Sequence, residues 1–159
     1  MTYREFLESK IDLATDSGFA VDRSKINPAL KPHQSDAVAW ALKGGRRALF
    51  EAFGLGKTVQ EIEFCHLAAE HTGGRALIVL PLGVKQEFTR DAVELLGYEK
   101  PEYCRTMDEV KACDSQIVLT NYERVRDGDI DPSYFAATSL DEASVLRSFG
   151  SKTYQTFLD

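Results

Sequence analysis

A glycine-rich segment followed by lysine and threonine is the part of the sequence best suited to chemistry. Residues 53–58 read Phe-Gly-Leu-Gly-Lys-Thr and lie between a short run at 47–50 and a long helical pattern. Glycines let the backbone approach an anion, and the free N–H groups of a first helical turn point towards it. The segment therefore predicts a phosphate-binding loop, in which Lys57 reaches the β- and γ-phosphates of a nucleotide and the Thr58 hydroxyl binds Mg²⁺.

The loop departs from the usual pattern at one position. Glu51 stands where the first glycine of the pattern is expected, and Gly54 supplies flexibility inside the loop instead. A glycine-rich helix start that merely turns the chain is the alternative interpretation. Residues further along the chain are needed to decide between the two.

The acidic pair Asp141-Glu142 is a second candidate, because it follows a weak strand pattern at 136–140. Parallel sheets bind their ligands beyond the carboxyl ends of the strands. Asp141 is predicted to hold Mg²⁺, directly or through water, and Glu142 to orient and deprotonate the water that attacks a γ-phosphate. Considered alone, the pair favours a simpler interpretation, the capped start of a helix on a surface turn.

The elements that must position these residues alternate between helix and strand. Strands are predicted at 47–50, 76–80, 102–104, 116–120 and 136–140. Helices are predicted at 2–16, from Lys31 to Gly44, from about Lys57 to Glu70, briefly at 121–126, and at 151–158. A further helix after Pro81 has Phe88, Ala92 and Leu95 on its apolar face and ends at Gly97, and a short one follows a cap at Thr106. This alternation predicts an α/β fold with a parallel sheet flanked by helices.

Length and composition are typical of one soluble globular domain. The 159 residues are 43% hydrophobic and 28% charged, which argues against disorder. No apolar stretch reaches the length of a membrane span, and the first residues lack the apolar core of a signal peptide. The expected location is therefore the cytoplasm.

Cysteine, histidine and charge exclude several classes of site. Cys65, Cys104 and Cys113 form no Cys-x-x-Cys pair, so reduced thiols are expected rather than a disulfide framework. The three histidines show no metal-ligand spacing with them, and no zinc site is predicted. The net charge of −6 predicts weak binding of nucleic acid by this chain alone.

Taken in order, the motifs resemble the N-terminal RecA-like lobe of a superfamily-two DEAD/DEAH-box helicase or translocase, and in particular its Swi/Snf-like bacterial and prophage branch. Residues 48–60 are similar to the nucleotide loop (Walker A) of that branch, in which an acidic residue replaces the first glycine, so Glu51 supports the resemblance. Leu140-Asp141-Glu142-Ala143-Ser144 is similar to the DEAD/DEAH box. Ser144 stands where many relatives carry a histidine that couples ATP hydrolysis to nucleic-acid binding, which leaves that coupling open.

The resemblance implies the cofactors ATP and Mg²⁺ and a set of binding residues. Residues 30–34, followed by Trp40, resemble the element whose glutamine reads adenine, so Gln34 inherits that role. Residues 77–82 and 118–123 resemble elements on the nucleic-acid path, and the contacts are expected at Pro81 and at an exposed Thr120 and Asn121. The implied nucleotide-binding residues are Gln34, Gly54, Leu55, Gly56, Lys57, Thr58 and Val59, with Lys57, Asp141 and Glu142 in catalysis and Thr58 and Asp141 on Mg²⁺.

The resemblance also implies a domain division and a missing partner. Residues 1–27 are predicted to form an N-terminal helix and connector, and 28–159 one RecA-like, ATP-binding helicase lobe. The family needs a second lobe with an arginine finger, which the sequence does not contain. This chain alone is therefore expected to hydrolyse ATP poorly, and DNA is favoured over RNA as the partner of the full-length protein.

Two alternatives of other classes stay open. One is a non-catalytic module, derived from such a lobe, that binds a nucleotide or a protein. The other is a nucleotide or small-molecule kinase built on the same loop, which would need an arginine-rich lid. The segment after Asp141 offers only Arg147, which disfavours the kinase.

Overall fold

The computed structural model of the protein describes Thr2, residues 18–44 and residues 57–141. Several predicted features lie outside the described residues and stay predictions. They are the helices at 2–16 and 151–158, the strand at 47–50, the glycine-rich segment as far as Gly56, and Glu142.

The described ranges contain five helices and four strands, which alternate from Lys57 onwards as the sequence predicted. In chain order they are α1 (Pro32–Gly44), α2 (Lys57–Thr72), β1 (Ala76–Val79), α3 (Lys85–Arg90), β2 (Glu102–Tyr103), α4 (Met107–Ala112), β3 (Ile117–Thr120), α5 (Tyr122–Arg126) and β4 (Ala137–Leu140). Short 3₁₀ turns occur at Arg23–Lys25, Leu82–Val84 and Pro132–Tyr134, and a π-helical turn, Asp91–Leu95, continues α3.

The four strands form one parallel sheet in the order β2-β3-β1-β4. Val79 of β1 is level with Thr120 of β3 on one side and with Leu140 of β4 on the other. The strands β1, β3 and β4 therefore end together. The residues that follow them lie along one carboxyl edge, the edge at which parallel sheets bind ligands.

Helices cover both faces of the sheet, because β1 and β3 are buried along their whole length. Side chains of β1 alternate between two apolar clusters, with Ala76 and Ile78 in one and Leu77 and Val79 in the other. The first cluster includes residues of α1, α2 and α3, and the second includes residues of α4 and α5. The result is a three-layer α/β arrangement, the architecture that the alternation predicted.

The helix after Pro81 differs from its predicted form in one respect. The sequence places Leu95 on the buried face with Phe88 and Ala92, but Leu95 is 56% exposed and Leu96 is 6% exposed. In a π-helical turn the hydrogen-bonded residues are five positions apart, and here the N–H of Leu96 donates to the carbonyl of Asp91. The wider turn rotates the next leucine into the core. The assignment of Leu95 to the apolar face is therefore wrong.

Predicted ends of two helices are confirmed. The Thr106 side chain accepts a hydrogen bond from the N–H of Glu109 at 3.2 Å, and the Glu109 carboxylate accepts one from the N–H of Arg105 at 2.7 Å. Gly97 ends the segment that begins with α3 and has a φ of 71°, a left-handed conformation that favours glycine.

Candidate functional site

Lys57 and Asp141 meet at the carboxyl edge of the sheet. Lys57 is the first residue of α2, and Asp141 directly follows β4. The Lys57 Nζ lies 3.7 Å from the Asp141 Oδ1, and the side chains are 35% and 9% exposed. A half-buried cation next to a buried carboxylate is an arrangement suited to holding phosphate and a divalent cation together. The structure thus brings together two of the three predicted catalytic residues, whose roles remain predictions.

Hydrogen bonds hold both the backbone N–H and the backbone carbonyl of Asp141. Its N–H donates to the carbonyl of Val79 on β1 at 2.8 Å. Its carbonyl accepts a short hydrogen bond from the Tyr122 hydroxyl, at the start of α5. These bonds fix the point at which the carboxylate leaves the sheet. Tyr122 is a positioning residue that the sequence reasoning did not assign to this site.

A further carboxyl group, Glu61, lies in the same cluster and was also missed. It is only 6% exposed, and its Oε1 lies 3.4 Å from the Ser139 Oγ on β4. Burial, reinforced by the negative charge of Asp141, raises the pKa of Glu61 well above its ordinary value. The protonated form of Glu61 is therefore favoured. Asp141, and not Glu61, is then the carboxylate that pairs with the charge of Lys57. The position of Glu61 four residues after Lys57, on the same helical face, was the available signal.

The first turn of α2 carries the other described part of the predicted phosphate loop. Thr58 is half-buried, and Val59 packs in the core between α2 and the sheet. Val59 therefore has only its backbone N–H to offer a phosphate. The remaining predicted residues of the loop, Gly54, Leu55 and Gly56, lie outside the described residues, as does Glu142.

Gln34 lies at the start of α1 and is 6% exposed. Its Oε1 accepts a hydrogen bond from the N–H of Lys31 at 2.8 Å, and its own N–H donates to the Lys31 carbonyl at 2.9 Å. The side chain thus helps to cap the first turn of the helix. Recognition of adenine by Gln34 remains a prediction.

The residues predicted for nucleic-acid contact lie at or just beyond the ends of β1 and β3, but Thr120 and Asn121 are less exposed than expected. Pro81 is half-buried, whereas Thr120 is 0% and Asn121 7% exposed. The Thr120 hydroxyl donates to the carbonyl of Cys104 at 2.9 Å, and the Asn121 Oδ1 accepts from the Tyr103 hydroxyl at 2.7 Å. The expectation that Thr120 and Asn121 are exposed is therefore wrong, because the edge strand β2 covers them. A role for them in contacting nucleic acid remains a prediction.

A cleft of about 760 Å³ opens beside those buried residues. Its lining includes Lys85, which follows β1, Arg105, which follows β2, and Arg124, which follows the end of β3. The Lys85 Nζ lies 4.6 Å from the centre of the Tyr103 ring, a cation–π contact. Glu102 and Glu109 line the same cleft, so its charge is mixed. The sequence reasoning singled out none of these cations, which are far apart in the chain.

The described residues contain neither a metal-binding cluster nor a membrane-spanning helix. Among the described residues, no group of three or more histidine, cysteine, aspartate or glutamate side chains is arranged to hold a metal ion. In the same part of the chain, no helix is both long and apolar enough to cross a membrane.

Solved structures of helicases and related ATPases share this fold. The chain is similar to the UvsW helicase from bacteriophage T4, with a TM-score of 0.64 and 18% identity over 98% of this chain and 55% of that chain. It is also similar to the Sulfolobus solfataricus SWI2/SNF2 ATPase core in complex with double-stranded DNA, with a TM-score of 0.67 and 19% identity over 87% of this chain and 31% of that chain. A second T4 UvsW structure matches with a TM-score of 0.64 and 18% identity over 98% of this chain and 31% of that chain.

These likenesses confirm the predicted fold class, an α/β fold with a parallel sheet flanked by helices, consistent with a single RecA-like lobe. The chain spans between 31% and 55% of the length of these solved chains. No family model and no curated protein matches the chain. What the chain shares with these solved structures is therefore the fold.

Proposed function

We propose that this chain is the ATP- and Mg²⁺-binding lobe of an ATP-dependent helicase or translocase, with DNA favoured over RNA as its nucleic-acid partner. The observation that carries the proposal is the Lys57–Asp141 pair, with Nζ and Oδ1 3.7 Å apart at the carboxyl edge of the sheet. This edge is the general ligand-binding position of parallel α/β folds. The shared fold with helicase structures supports the same function.

The donor set fits a Mg²⁺–nucleotide complex. Mg²⁺ keeps several of its waters and needs few protein ligands, so the Thr58 hydroxyl and the Asp141 carboxylate would suffice beside the phosphates. When bound with ATP, Mg²⁺ would neutralise charge on the β- and γ-phosphates. Lys57 would exchange its contact with Asp141 for one with a phosphate oxygen, and N–H groups of the first turn of α2 would donate to the phosphates.

Hydrolysis is proposed only for the protein completed by a second lobe. Glu142 is the proposed group that orients the attacking water and accepts its proton, so that ATP and water give ADP and phosphate. An arginine finger from the second lobe would stabilise the charge of the transition state, an effect of about three to five orders of magnitude in related systems. This lobe alone is therefore expected to bind ATP but to turn it over slowly.

Nucleic acid is proposed to cross the opposite part of the same edge, over the cleft. Lys85, Arg105 and Arg124 supply cations there, and positive side chains beside phosphates are the general basis of such binding. One similar structure is a complex with double-stranded DNA. Arg105 and Arg124 each form an ion pair with a nearby acid, at 3.9 Å and 3.2 Å, so this lobe alone is expected to bind weakly.

Equilibrium binding of ATP tests the proposal. Isothermal titration calorimetry with ATP should show binding that strengthens when Mg²⁺ is added, and Asp141→Asn should remove that Mg²⁺-dependent gain while it spares binding of ATP alone. If wild-type protein binds no ATP with or without Mg²⁺, the proposal fails and a protein-binding module is favoured. Transfer of the γ-phosphate to a nucleoside monophosphate or a small alcohol would favour a kinase instead.

A further inference from the structure

Two thiols approach each other on the wall of the cleft. Cys104 directly follows β2, and Cys113 caps the carboxyl end of α4. Their Sγ atoms are 3.9 Å apart, although the residues are nine positions apart in the sequence. Both residues line the cleft. They are therefore within reach of each other and of a small molecule in the cleft.

A fixed positive charge lies beside one of the two sulfurs. The Arg75 Nη2 is 3.1 Å from the Cys113 Sγ. The same guanidinium donates to the carbonyls of Ser115 and Val110, both at 2.8 Å, so its position is held from two directions. A cation next to a sulfur stabilises negative charge on it, which favours attack by that sulfur.

We propose that Cys104 and Cys113 form a reactive dithiol site that takes a low-molecular-weight disulfide as co-substrate and closes reversibly to an intramolecular disulfide. The proposal concerns thiol chemistry alone and does not depend on the proposed nucleotide binding. Three cationic and two acidic side chains line the cleft, so the co-substrate is not restricted to one sign of charge.

The reaction is an ordinary thiol–disulfide exchange in two steps. The Cys113 thiolate attacks one sulfur of the small disulfide, forms a mixed disulfide and releases one small thiolate. The Cys104 thiolate then attacks the Cys113 Sγ and releases the second small thiolate. The two protons lost by the cysteines are taken up by the two released thiolates. The protein is oxidised by two electrons, and the small disulfide is reduced to two thiols.

Burial determines the order of the two steps. Cys113 is half-buried, whereas Cys104 is 2% exposed. Burial, with Cys113 as its neighbour, raises the pKa of Cys104 to about 12. Cys113 is therefore the attacking residue, and Cys104 resolves the mixed disulfide once it is delivered next to it.

Closure of the disulfide requires the two sulfurs to move closer together. A disulfide needs an S–S distance of about 2.05 Å, so they must approach by about 1.9 Å from the observed 3.9 Å. Cys104 is held to β3, because its N–H donates to the carbonyl of Leu119 and its carbonyl accepts from Thr120, both at 2.9 Å. Cys113 is therefore the residue that must move. It has an extended backbone at the end of a six-residue helix.

The test uses glutathione and its disulfide as the probe. The native chain is equilibrated with these at several ratios, quenched with an alkylating reagent, and analysed by intact mass and peptide mapping. The expected product has lost two hydrogens and carries one Cys104–Cys113 disulfide, while Cys65, which is 0% exposed, stays reduced. If oxidation gives random pairing, or if both cysteines stay reduced in glutathione disulfide alone, the proposal is overturned.

Single variants separate the two roles. Cys104→Ser should stop at a mixed disulfide of glutathione with Cys113, whereas Cys113→Ser should leave Cys104 unmodified over the same time. Cys65→Ser is the matched control and should close the Cys104–Cys113 disulfide as wild type does. A Cys104→Ser protein with an unmodified Cys113 would contradict the assigned order. Far-ultraviolet circular dichroism checks the fold of each variant, and mapping of the wild type in denaturant shows whether pairing depends on the native structure.

Discussion

At the residue scale, the position of Asp141 depends on groups far from it in the sequence. Its backbone N–H donates to Val79 and its carbonyl accepts from the Tyr122 hydroxyl. Removing the donor to a buried carbonyl usually destabilises a protein by more than the mean net contribution of a hydrogen bond, because the oxygen loses a partner that water does not replace. Tyr122 thus links the start of α5 to the candidate nucleotide site.

Removing the Tyr122 hydroxyl tests this link. Tyr122→Phe should lower the free energy of unfolding by about 1–3 kcal/mol, measured by urea denaturation, because the Asp141 carbonyl is left without this donor. Glu94→Gln is a suitable control, since Glu94 is exposed and such substitutions usually change stability by less than about 0.5 kcal/mol. If the two substitutions lower the free energy of unfolding equally, the Tyr122 hydrogen bond does not stabilise the fold as described.

Glu63 gives a prediction on pH. Its side chain is 0% exposed and accepts hydrogen bonds from the Tyr98 hydroxyl at 2.6 Å and the Asn27 N–H at 3.4 Å, with His66 and Glu70 nearby. Burial raises the pKa of Glu63 above its ordinary value of 4.5, in spite of the opposing hydrogen bonds and His66. The folded protein therefore binds this proton more tightly than the unfolded chain does.

Stability should fall as the pH rises through this window. Below the ordinary value of 4.5 both states are protonated, and above it the unfolded chain ionises first, so the free energy of unfolding decreases with rising pH until the folded group ionises as well. Glu63→Gln should flatten this part of the stability curve, measured by urea denaturation at several pH values. Glu87→Gln, an exposed substitution on α3, should leave the slope unchanged. A slope that persists in Glu63→Gln would assign the effect to another group.

Reasoning from the sequence placed residues correctly where a strand end or a helix start determines their position. Lys57 and Asp141 were expected at the carboxyl ends of the sheet from turn and strand patterns, and they do meet there. Glu61 follows Lys57 by one helical turn and could have been found in the same way. Tyr122 is 19 positions from Asp141 and Cys104 nine from Cys113, and only the tertiary fold brings these pairs together.

At the element scale, the π-helical turn determines which leucine enters the core. Periodicity of 3.6 residues predicted Leu95, but the wider turn buries Leu96 at 6% exposure and leaves Leu95 at 56%. A π-turn has no distinctive sequence pattern at this length, because it depends on how the helix packs on α2 and the sheet. The same limit applies to Thr120 and Asn121, which the edge strand β2 covers.

Two adjacent leucine variants test the register of this turn. Leu96→Ala should lower the free energy of unfolding by about 2–5 kcal/mol, because it removes buried methyl groups and leaves a cavity. Leu95→Ala should change it by less than about 0.5 kcal/mol, because the side chain is mostly in solvent. Denaturant titration of both proteins compares them directly. A larger loss in Leu95→Ala would mean that an ordinary α-helical register holds in solution.

At the scale of the whole molecule, the order β2-β3-β1-β4 separates two regions along one edge. Asp141 follows β4 at one end of the described sheet, and Cys104 follows β2 at the other. The candidate nucleotide site and the cleft are therefore held apart by β1 and β3. The buried strands β1 and β3 could be predicted, because such largely apolar runs are typical of parallel sheets. The cleft could not, since its lining comes from four separate segments.

The central claim is that the Lys57–Asp141 cluster binds the phosphates of ATP. Titration calorimetry with ATP and Mg²⁺ should show that Lys57→Ala weakens the affinity by at least about tenfold, because a charged contact with phosphate is lost. Lys111→Ala removes an equal charge from an exposed position on α4 and should bind as wild type does. If Lys57→Ala binds ATP as tightly as wild type and Lys111→Ala do, Lys57 does not hold the nucleotide and the account of this site is contradicted.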